Sequence, residues 1–407
     1  MLRLLIVADD MTGALDTGVQ LTKRGIPAQV LVDEGRSDWE DHETPVLILA
    51  PETRRLLPAA AYQAAYAIFC RAREMGIPYL YKKTDSALRG NVGAELQALS
   101  DAYGGERICF APAFPAAKRW TMDGVLYIGS APVADSVFGQ DPFSPVADSF
   151  IPAWLGQKGF SGQCRLVRRG ENPIHEASVE VLIFDAAEDE DFLGIAHYAI
   201  GMGIRLLAGC AGFAQMLPAI LMDGETPLVP PEISMEQAKD PGLWAKKEKP
   251  EGLLVFSGSL NPISLAQCRF AVDHGFLLIP ICHELLFGQD RECLLEDMLK
   301  KIKGKTGVVF YTAEIAAVED MQAFSSAMGR LAKQIFARFP QRLRVVVGGD
   351  TLMAFLQSVG VDALIPLQEI EAGVVLAKTA PNGYPIVTKS GGLGSEDVFL
   401  SIQSAFT

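Results

Sequence analysis

The chain has 407 residues, 49% of them hydrophobic and 21% charged, the balance of a protein with a large buried core. Single cores rarely grow past about 250–300 residues, so two domains are expected. A formal charge of −13, from 36 basic and 49 acidic side chains, argues against nucleic acid and anionic membranes as partners.

No uninterrupted apolar run of about 18 residues is long enough to span a bilayer, and the opening residues read as a strand rather than a signal peptide. The seven cysteines, at positions 70, 109, 164, 210, 268, 282 and 293, show no CxxC spacing. The five histidines show no metal-ligand spacing either. A reduced, cytoplasmic protein without a protein-built metal site is expected.

In chain order, Leu2 to Ala8 form an apolar run that suits a strand buried on both faces of a parallel sheet. Asp9 and Asp10 close it, and Leu15, Val19 and Thr22 then recur at helical spacing. Ligands of open α/β sheets bind beyond the carboxyl ends of strands, where helix N-termini also point. One acid there is as well explained by helix capping. Two in succession favour a site.

Strands are expected at 26–32 and 46–50, and a helix from Pro58 to near Gly76. A short strand at 79–81 leads into YKKTDSALRGNVGAEL, which places Lys82, Lys83, Asp85, Ser86, Arg89 and Asn91 within ten residues. Basic side chains directly after a strand, in an acidic protein and beside glycines, point to an anion site. A strand at 107–112 runs into AFPAAKRW, bringing Lys118 and Arg119 to the same end. Residues 126–152 are too long for a simple connector, and cover the site or pack a neighbour. A strand at 179–185, a helix at 192–202, a strand at 206–210 and a helix to Met222 complete this half.

Residues 223–251 are proline-rich and without periodicity, the expected linker. Beyond it, apolar strands at 253–256, 276–281, 308–311, 345–347 and 374–377 alternate with helices, one starting at Asn261-Pro262 as cap and first residue. Three glycine loops follow strands: Ser257-Gly258-Ser259, Gly348-Gly349-Asp350-Thr351, and Ser390-Gly391-Gly392-Leu393-Gly394 after Lys389. Strand, glycines, then helix N-terminus is an arrangement that cradles phosphate, and three in one half favour a nucleotide. Gly304-Lys305-Thr306 is not a P-loop, because Leu299 stands where its first glycine belongs and a strand follows rather than precedes it. No G-x-G-x-x-G occurs.

The stretches ADDMTGALDTGVQ, YKKTDSALRGNVGAEL, APAFPAAKR, FDAAEDEDF, VFSGSLNPIS, VVVGGDT and VTKSGGLG resemble those of four-carbon acid sugar kinases, which include 3-oxo-tetronate, D-threonate and D-erythronate kinases. The resemblance implies an α/β fold of two domains, each a mainly parallel sheet flanked by helices, with a cleft between them. Residues 1–225 would bind the sugar acid, 226–250 would link, and 251–407 would bind ATP. It implies transfer of the γ-phosphoryl group to the terminal hydroxyl of the acid, in carbohydrate catabolism. The substrate residues would be Asp9, Asp10, Arg54, Lys82, Asp85, Ser86 and Arg89; on charge, Lys82 and Arg89 are expected to hold the substrate carboxylate, with Lys83 and Arg119 in reserve. The nucleotide would meet Ser257, Gly258, Ser259, Gly348, Gly349, Asp350, Thr351, Lys389, Gly391 and Gly392. Mg²⁺ would be held by phosphate oxygens and water, and the base would be Asp9, Asp85 or Asp350.

Four positions depart from the family pattern: Ala87 for Thr, Lys118 for the Gly before the Arg, Cys210 for Ser, and Leu393 for Phe. The first two lie near the expected acid site and bear on the choice of substrate. The other readings of the same residues are a phosphosugar isomerase or dehydrogenase, which the missing dinucleotide motif disfavours, and a non-catalytic metabolite sensor. Sugar acid and ATP are the expected partners, and a homodimer stays open.

Overall fold

The computed structural model describes residues 2–32, 39, 44–141, 143–173, 178–222, 250–312 and 321–406. The chain divides into two compact units, Met1–Pro231 and Glu232–Thr407. The expected linker at 226–250 lies outside the described residues, Pro250 apart.

Unit 1 opens with β1 (Leu4–Ala8), α1 (Met11–Thr22), β2 (Ala28–Leu31), β3 (Val46–Leu49), α2 (Pro58–Glu74), β4 (Tyr79–Lys83), α3 (Val92–Ala102) and β5 (Ile108–Ala111). A small antiparallel sheet follows, of β6 (Arg119–Met122), β7 (Val125–Ile128) and β8 (Ala131–Pro132). Then come α4 (Ile151–Gln157), β9 (Cys164–Val167), β10 (Val181–Phe184), α5 (Asp191–Gly201), β11 (Leu206–Gly209), α6 (Ala211–Ala214) and α7 (Leu217–Leu221).

The main sheet of this unit runs β2-β3-β1-β4-β11-β5-β10-β9, every neighbouring pair parallel. β1 and β3 are buried along their whole length, as strands covered on both faces must be. One helix was expected up to Met222, but two short ones form. Pro218 lacks an N–H and its ring would collide with the carbonyl of Ala214, so α6 ends there.

Unit 2 contains β12 (Leu253–Ser257), α8 (Pro262–Asp273), β13 (Leu277–Pro280), α9 (His283–Phe287), α10 (Arg291–Ile302), β14 (Gly307–Tyr311), α11 (Met321–Arg338), β15 (Leu343–Val347) and α12 (Gly349–Val359). It closes with β16 (Ala363–Glu371), β17 (Val374–Ala380), β18 (Pro385–Lys389) and α13 (Val398–Phe406). The strands run β13-β14-β12-β15-β18-β17-β16, parallel as far as β18 and antiparallel through β17 and β16. Leu253, Val255, Val345, Val387, Phe399 and Ile402 share one core, so α13 packs on the sheet it follows. Asn261 caps α8 by accepting from the Ile263 N–H, and Pro262 starts it. Among the described residues no helix is long and apolar enough to cross a membrane.

Candidate active site

In unit 1 the chain leaves β1 for β2 on one side and leaves the adjacent β4 for β5 on the other. Such a reversal opens a crevice beyond the strand ends, where doubly wound sheets bind ligands. Asp9 and Asp10 follow β1, and residues 84–89 follow β4.

Arg54 ties this end together from the 3-10 turn Thr53–Arg55. Its Nε donates to Asp9 Oδ2 at 2.7 Å and its Nη1 to Asp10 Oδ2 at 2.7 Å, while Nη2 lies 3.4 Å from Asp85 Oδ1. The flat guanidinium fork suits several carboxylates at once, which an ammonium does not. The turn is fixed by Asn91, whose Nδ2 donates to Thr53 O at 2.9 Å and Leu56 O at 2.8 Å.

Asp9 and Asp10 have different tasks. Asp10 caps α1, accepting from the Gly13 N–H at 2.7 Å and the Thr12 hydroxyl at 3.0 Å. Asp9 gives Oδ2 to Arg54, but its Oδ1 is buried and has no hydrogen-bond partner. Burial pushes its carboxyl up, yet Arg54, Lys83 and Lys82 outweigh it and hold the group below the ordinary value.

Lys82 and Lys83 are the last residues of β4 rather than part of a loop, and the pleat sends them to opposite faces. Lys82 is completely buried, its Nζ 2.8 Å from Glu95 Oε1 and donating to Val7 O at 3.3 Å. Lys83 is buried too, but its Nζ donates to Thr84 O at 2.6 Å and has no carboxylate at ion-pair distance among the described residues. It lies over the start of α1, where a Cβ on Gly13 would come within 2.9 Å of it.

Asp85 is wrapped on both oxygens. Oδ1 accepts from Arg89 Nη2 at 2.9 Å, and Oδ2 from Arg89 Nε at 3.0 Å and the Ala87 N–H at 3.1 Å. Burial raises this carboxyl, but Arg89 and Arg54 carry it well below its ordinary range. Residues 126–152 fold onto the same loop. Asp141 accepts from Arg89 Nη1 at 3.1 Å, and Ser144 Oγ accepts from the Gly90 N–H at 2.6 Å. The buried Phe138 ring lies 5.2 Å from the Arg89 guanidinium and 4.8 Å from that of Arg119. Arg119, itself 3% exposed, donates to Ser86 Oγ, and burial lowers it to about 10. Phe138, Asp141 and Ser144 carried no signal beyond the unusual length of their segment.

In unit 2 the corresponding reversal lies between β12, which leads to the β13 edge, and β15, which leads toward β16. The three glycine loops follow β12, β15 and β18, which are neighbours in that order. A Cβ on Gly258 would come within 1.9 Å of Thr351 Oγ1, and one on Gly391 within 2.4 Å of Ser259 Oγ. Glycine at these two places lets the Thr351 and Ser259 hydroxyls pack directly on the loop backbone, so the strand ends are lined by backbone and hydroxyl groups. Gly348, at φ +100°, precedes α12 and turns the chain into it. Asp350 sits on the first turn of that helix.

Lys389 ends β18 completely buried, its Nζ donating to Ser390 O at 2.7 Å. Burial lowers its ammonium to about 7. That is below the ordinary lysine value of about 10.4, so above about pH 7 the unfolded chain keeps a proton that the folded chain has lost. The lysine's contribution to stability therefore rises with pH from about 7 to about 10. Lys389→Met is expected to raise Tm at pH 7, and by progressively less toward pH 10. A Tm shift that is the same at every pH contradicts this.

The departures from the family pattern have local explanations in two cases. Cys210 caps α6, its Sγ accepting from the Gly212 N–H at 3.4 Å and donating to Ala113 O at 3.0 Å, as a serine hydroxyl would. Burial pushes this thiol up to about 11. Lys118 is exposed with φ +55°, the left-handed region that a glycine adopts without strain. Lys118→Val is expected to be about 1–2 kcal/mol less stable than Lys118→Gly, read from urea midpoints. Nothing in the structure explains Ala87.

A carboxylate-and-cation crevice in one unit and three glycine loops at neighbouring strand ends in the other define a protein of two α/β units, each with polar groups gathered at the carboxyl ends of its strands. Residues 4–217 match the model of a sugar-binding N-terminal domain, and residues 254–399 that of a nucleotide-binding C-terminal domain. The chain belongs to the family built from these two domains, and its resemblance to four-carbon acid sugar kinases holds. A Bordetella bronchiseptica D-threonate kinase is 28% identical, over 98% of this chain and 96% of the relative. A Pectobacterium atrosepticum 3-oxo-tetronate kinase is 21% identical over 100% of both chains. A Salmonella typhimurium LT2 crystal structure, solved under a provisional tRNA-synthase name, shares the fold with a TM-score of 0.73, at 20% identity and 100% coverage of both chains.

Proposed function

We propose that the protein is an ATP-dependent kinase that phosphorylates the terminal hydroxyl of a four-carbon sugar acid of the threonate, erythronate or 3-oxo-tetronate type. The observation that carries this reading is the set of three glycine loops on adjacent strand ends of unit 2, where Gly258 and Gly391 let the Thr351 and Ser259 hydroxyls approach the backbone closely. Those loops suit a triphosphate, with Ser259 and Thr351 hydroxyls as donors, Lys389 beneath and the N-terminus of α12 adjoining. When bound, ATP supplies the γ-phosphoryl group. Mg²⁺ would be held by phosphate oxygens and water, with the Asp350 carboxylate on the adjoining turn. Curated kinases among the relatives disfavour the isomerase, dehydrogenase and sensor readings.

Within unit 1 the contacts sort the candidates. Lys82 and Arg89 are spent on Glu95 and Asp85, so Lys83, with no carboxylate at ion-pair distance among the described residues, is assigned to the substrate carboxylate, and Arg119 adds positive charge beside Ser86. Asp9 is assigned as the base, because its Oδ1 is the acceptor left open beside the cations. Asp85, with both oxygens held, positions Arg89 and takes no proton.

The test is Mg²⁺-dependent ATP consumption against D- and L-threonate, D- and L-erythronate and the 3-oxo acids. Turnover on one of them is expected. ATP hydrolysis or binding that no acid in the panel stimulates sinks the substrate assignment, and failure to bind ATP sinks the kinase.

A further inference from the structure

The glycine loop after β18 is gripped from behind by side chains that no motif marks. α8 presents Ser264 and Gln267 on one face, three residues apart, and both are buried. Ser264 Oγ donates to Gly391 O at 2.7 Å. Gln267 Nε2 donates to three successive carbonyls, Leu393 O at 3.2 Å, Gly394 O at 3.0 Å and Ser395 O at 2.8 Å. Lys389 Nζ takes the carbonyl of Ser390.

A trans peptide unit is planar, so a carbonyl and the N–H that follows it point in opposite directions. Holding the carbonyls of Ser390 and Leu393 on the α8 side therefore turns the N–H groups of Gly391 and Gly394 to the other face of the loop, with the Gly391 carbonyl pinned between them by Ser264. N–H groups gathered on one face of a loop bind anions. The Ser395 N–H is not among them, since it donates to Glu371 Oε2 at 2.7 Å. Ser259 of the first glycine loop packs against Gly391, which joins the two loops.

We propose that Ser264 and Gln267 are positioning residues for the phosphate groups of the nucleotide: they lock the 390–395 loop with the Gly391 and Gly394 N–H groups outward. The proposal rests on the nucleotide reading of unit 2 and extends it to residues that never touch the ligand. A packing role alone does not account for Gln267. Its Oε1 is buried without a hydrogen-bond partner, a cost that methionine of similar length would avoid.

The experiment compares full-length wild type with Gln267→Met, Ser264→Ala and Ser264→Thr. It reads KM for MgATP, KM for the sugar acid, kcat, and amide exchange across the loop without ligand. Gln267→Met is expected to raise the MgATP KM about 10-fold or more, leave the acid KM unchanged, and speed exchange at Ser395, the loop N–H that donates to Glu371. Ser264→Ala shows a smaller change in the same direction, and Ser264→Thr, which keeps the hydroxyl, restores it. Folded variants with unchanged MgATP KM and unchanged exchange overturn the proposal, as does a fall in kcat alone in proportion to active protein. Calorimetry on the wild type separates the two failures. Binding of neither MgATP nor pyrophosphate removes the nucleotide reading itself, whereas equal binding by wild type and Gln267→Met overturns only the positioning role.

Discussion

Arg54→Ala is expected to lose about 3–5 kcal/mol of stability, the usual cost of deleting one partner from a buried ion pair, and to abolish turnover. Asp9, Asp10 and Asp85 all converge on this one guanidinium, and among the described residues no other cation pairs with all three. Without it, burial dominates Asp9, which already feels desolvation as its largest single influence. The pH dependence follows from the sign of the shifts. In the wild type Asp9 and Asp85 have folded values below the ordinary carboxylate value, so their contribution is complete above about pH 4 and is lost as pH falls through the folded values. In the variant Arg89 still holds Asp85 low, but Asp9 loses its largest counter-charge and moves up past the ordinary value, so its contribution to stability falls as pH rises above about 4. The deficit against wild type should therefore be larger at pH 7.5 than at pH 5 in urea unfolding. Arg54→Lys recovers part of the stability and little activity, since one ammonium cannot meet three carboxylates arranged for a fork. Equal deficits at both pH values would mean that charge is not what Arg54 contributes.

The sheets were legible because strands covered on both faces need continuous apolar runs, and Leu4 to Ala8 or Leu253 to Phe256 provide them. β9 and β16 escaped the same reading. Their residues are mostly half-buried, so polar side chains interrupt the run. Asp9 and Asp10 were visible because a carboxylate pair stands out at the end of such a strand, though nothing local distinguishes the cap from the open acceptor. That distinction is made by Arg54, 45 positions away from Asp9, which only family resemblance brought forward. Lys82 misled for the same reason: its partner Glu95 is delivered by α3 packing beside β4, and pairing across elements leaves no periodic trace. Gln267 carries no motif that marks its role, and its three carbonyl partners are delivered only by the return of the chain after β18.

The three candidate bases separate most sharply in the pair Asp9→Asn and Asp85→Asn. Asp9→Asn keeps an oxygen for Arg54 but removes the open carboxylate oxygen, and kcat is expected to fall about 10²–10⁴-fold, the usual range for a lost general base, with the acid KM little changed. Asp85→Asn should do the reverse. Arg89 loses its two-pronged anchor and swings from its place beside Phe138 and Arg119, so the acid KM rises about 10–100-fold, in line with one charged hydrogen bond, while the proton acceptor is untouched. Because Arg54, Lys83 and Lys82 keep Asp9 ionised, the acid limb of the wild-type kcat profile should lie below about pH 4 rather than near neutrality. A base held this low is suited to phosphoryl transfer, where the transition state is loose and the hydroxyl proton is needed late, so position matters more than basicity. An acid limb near pH 6–7, or equal losses of kcat in both variants, would transfer the role away from Asp9 and leave Asp350 as the remaining candidate.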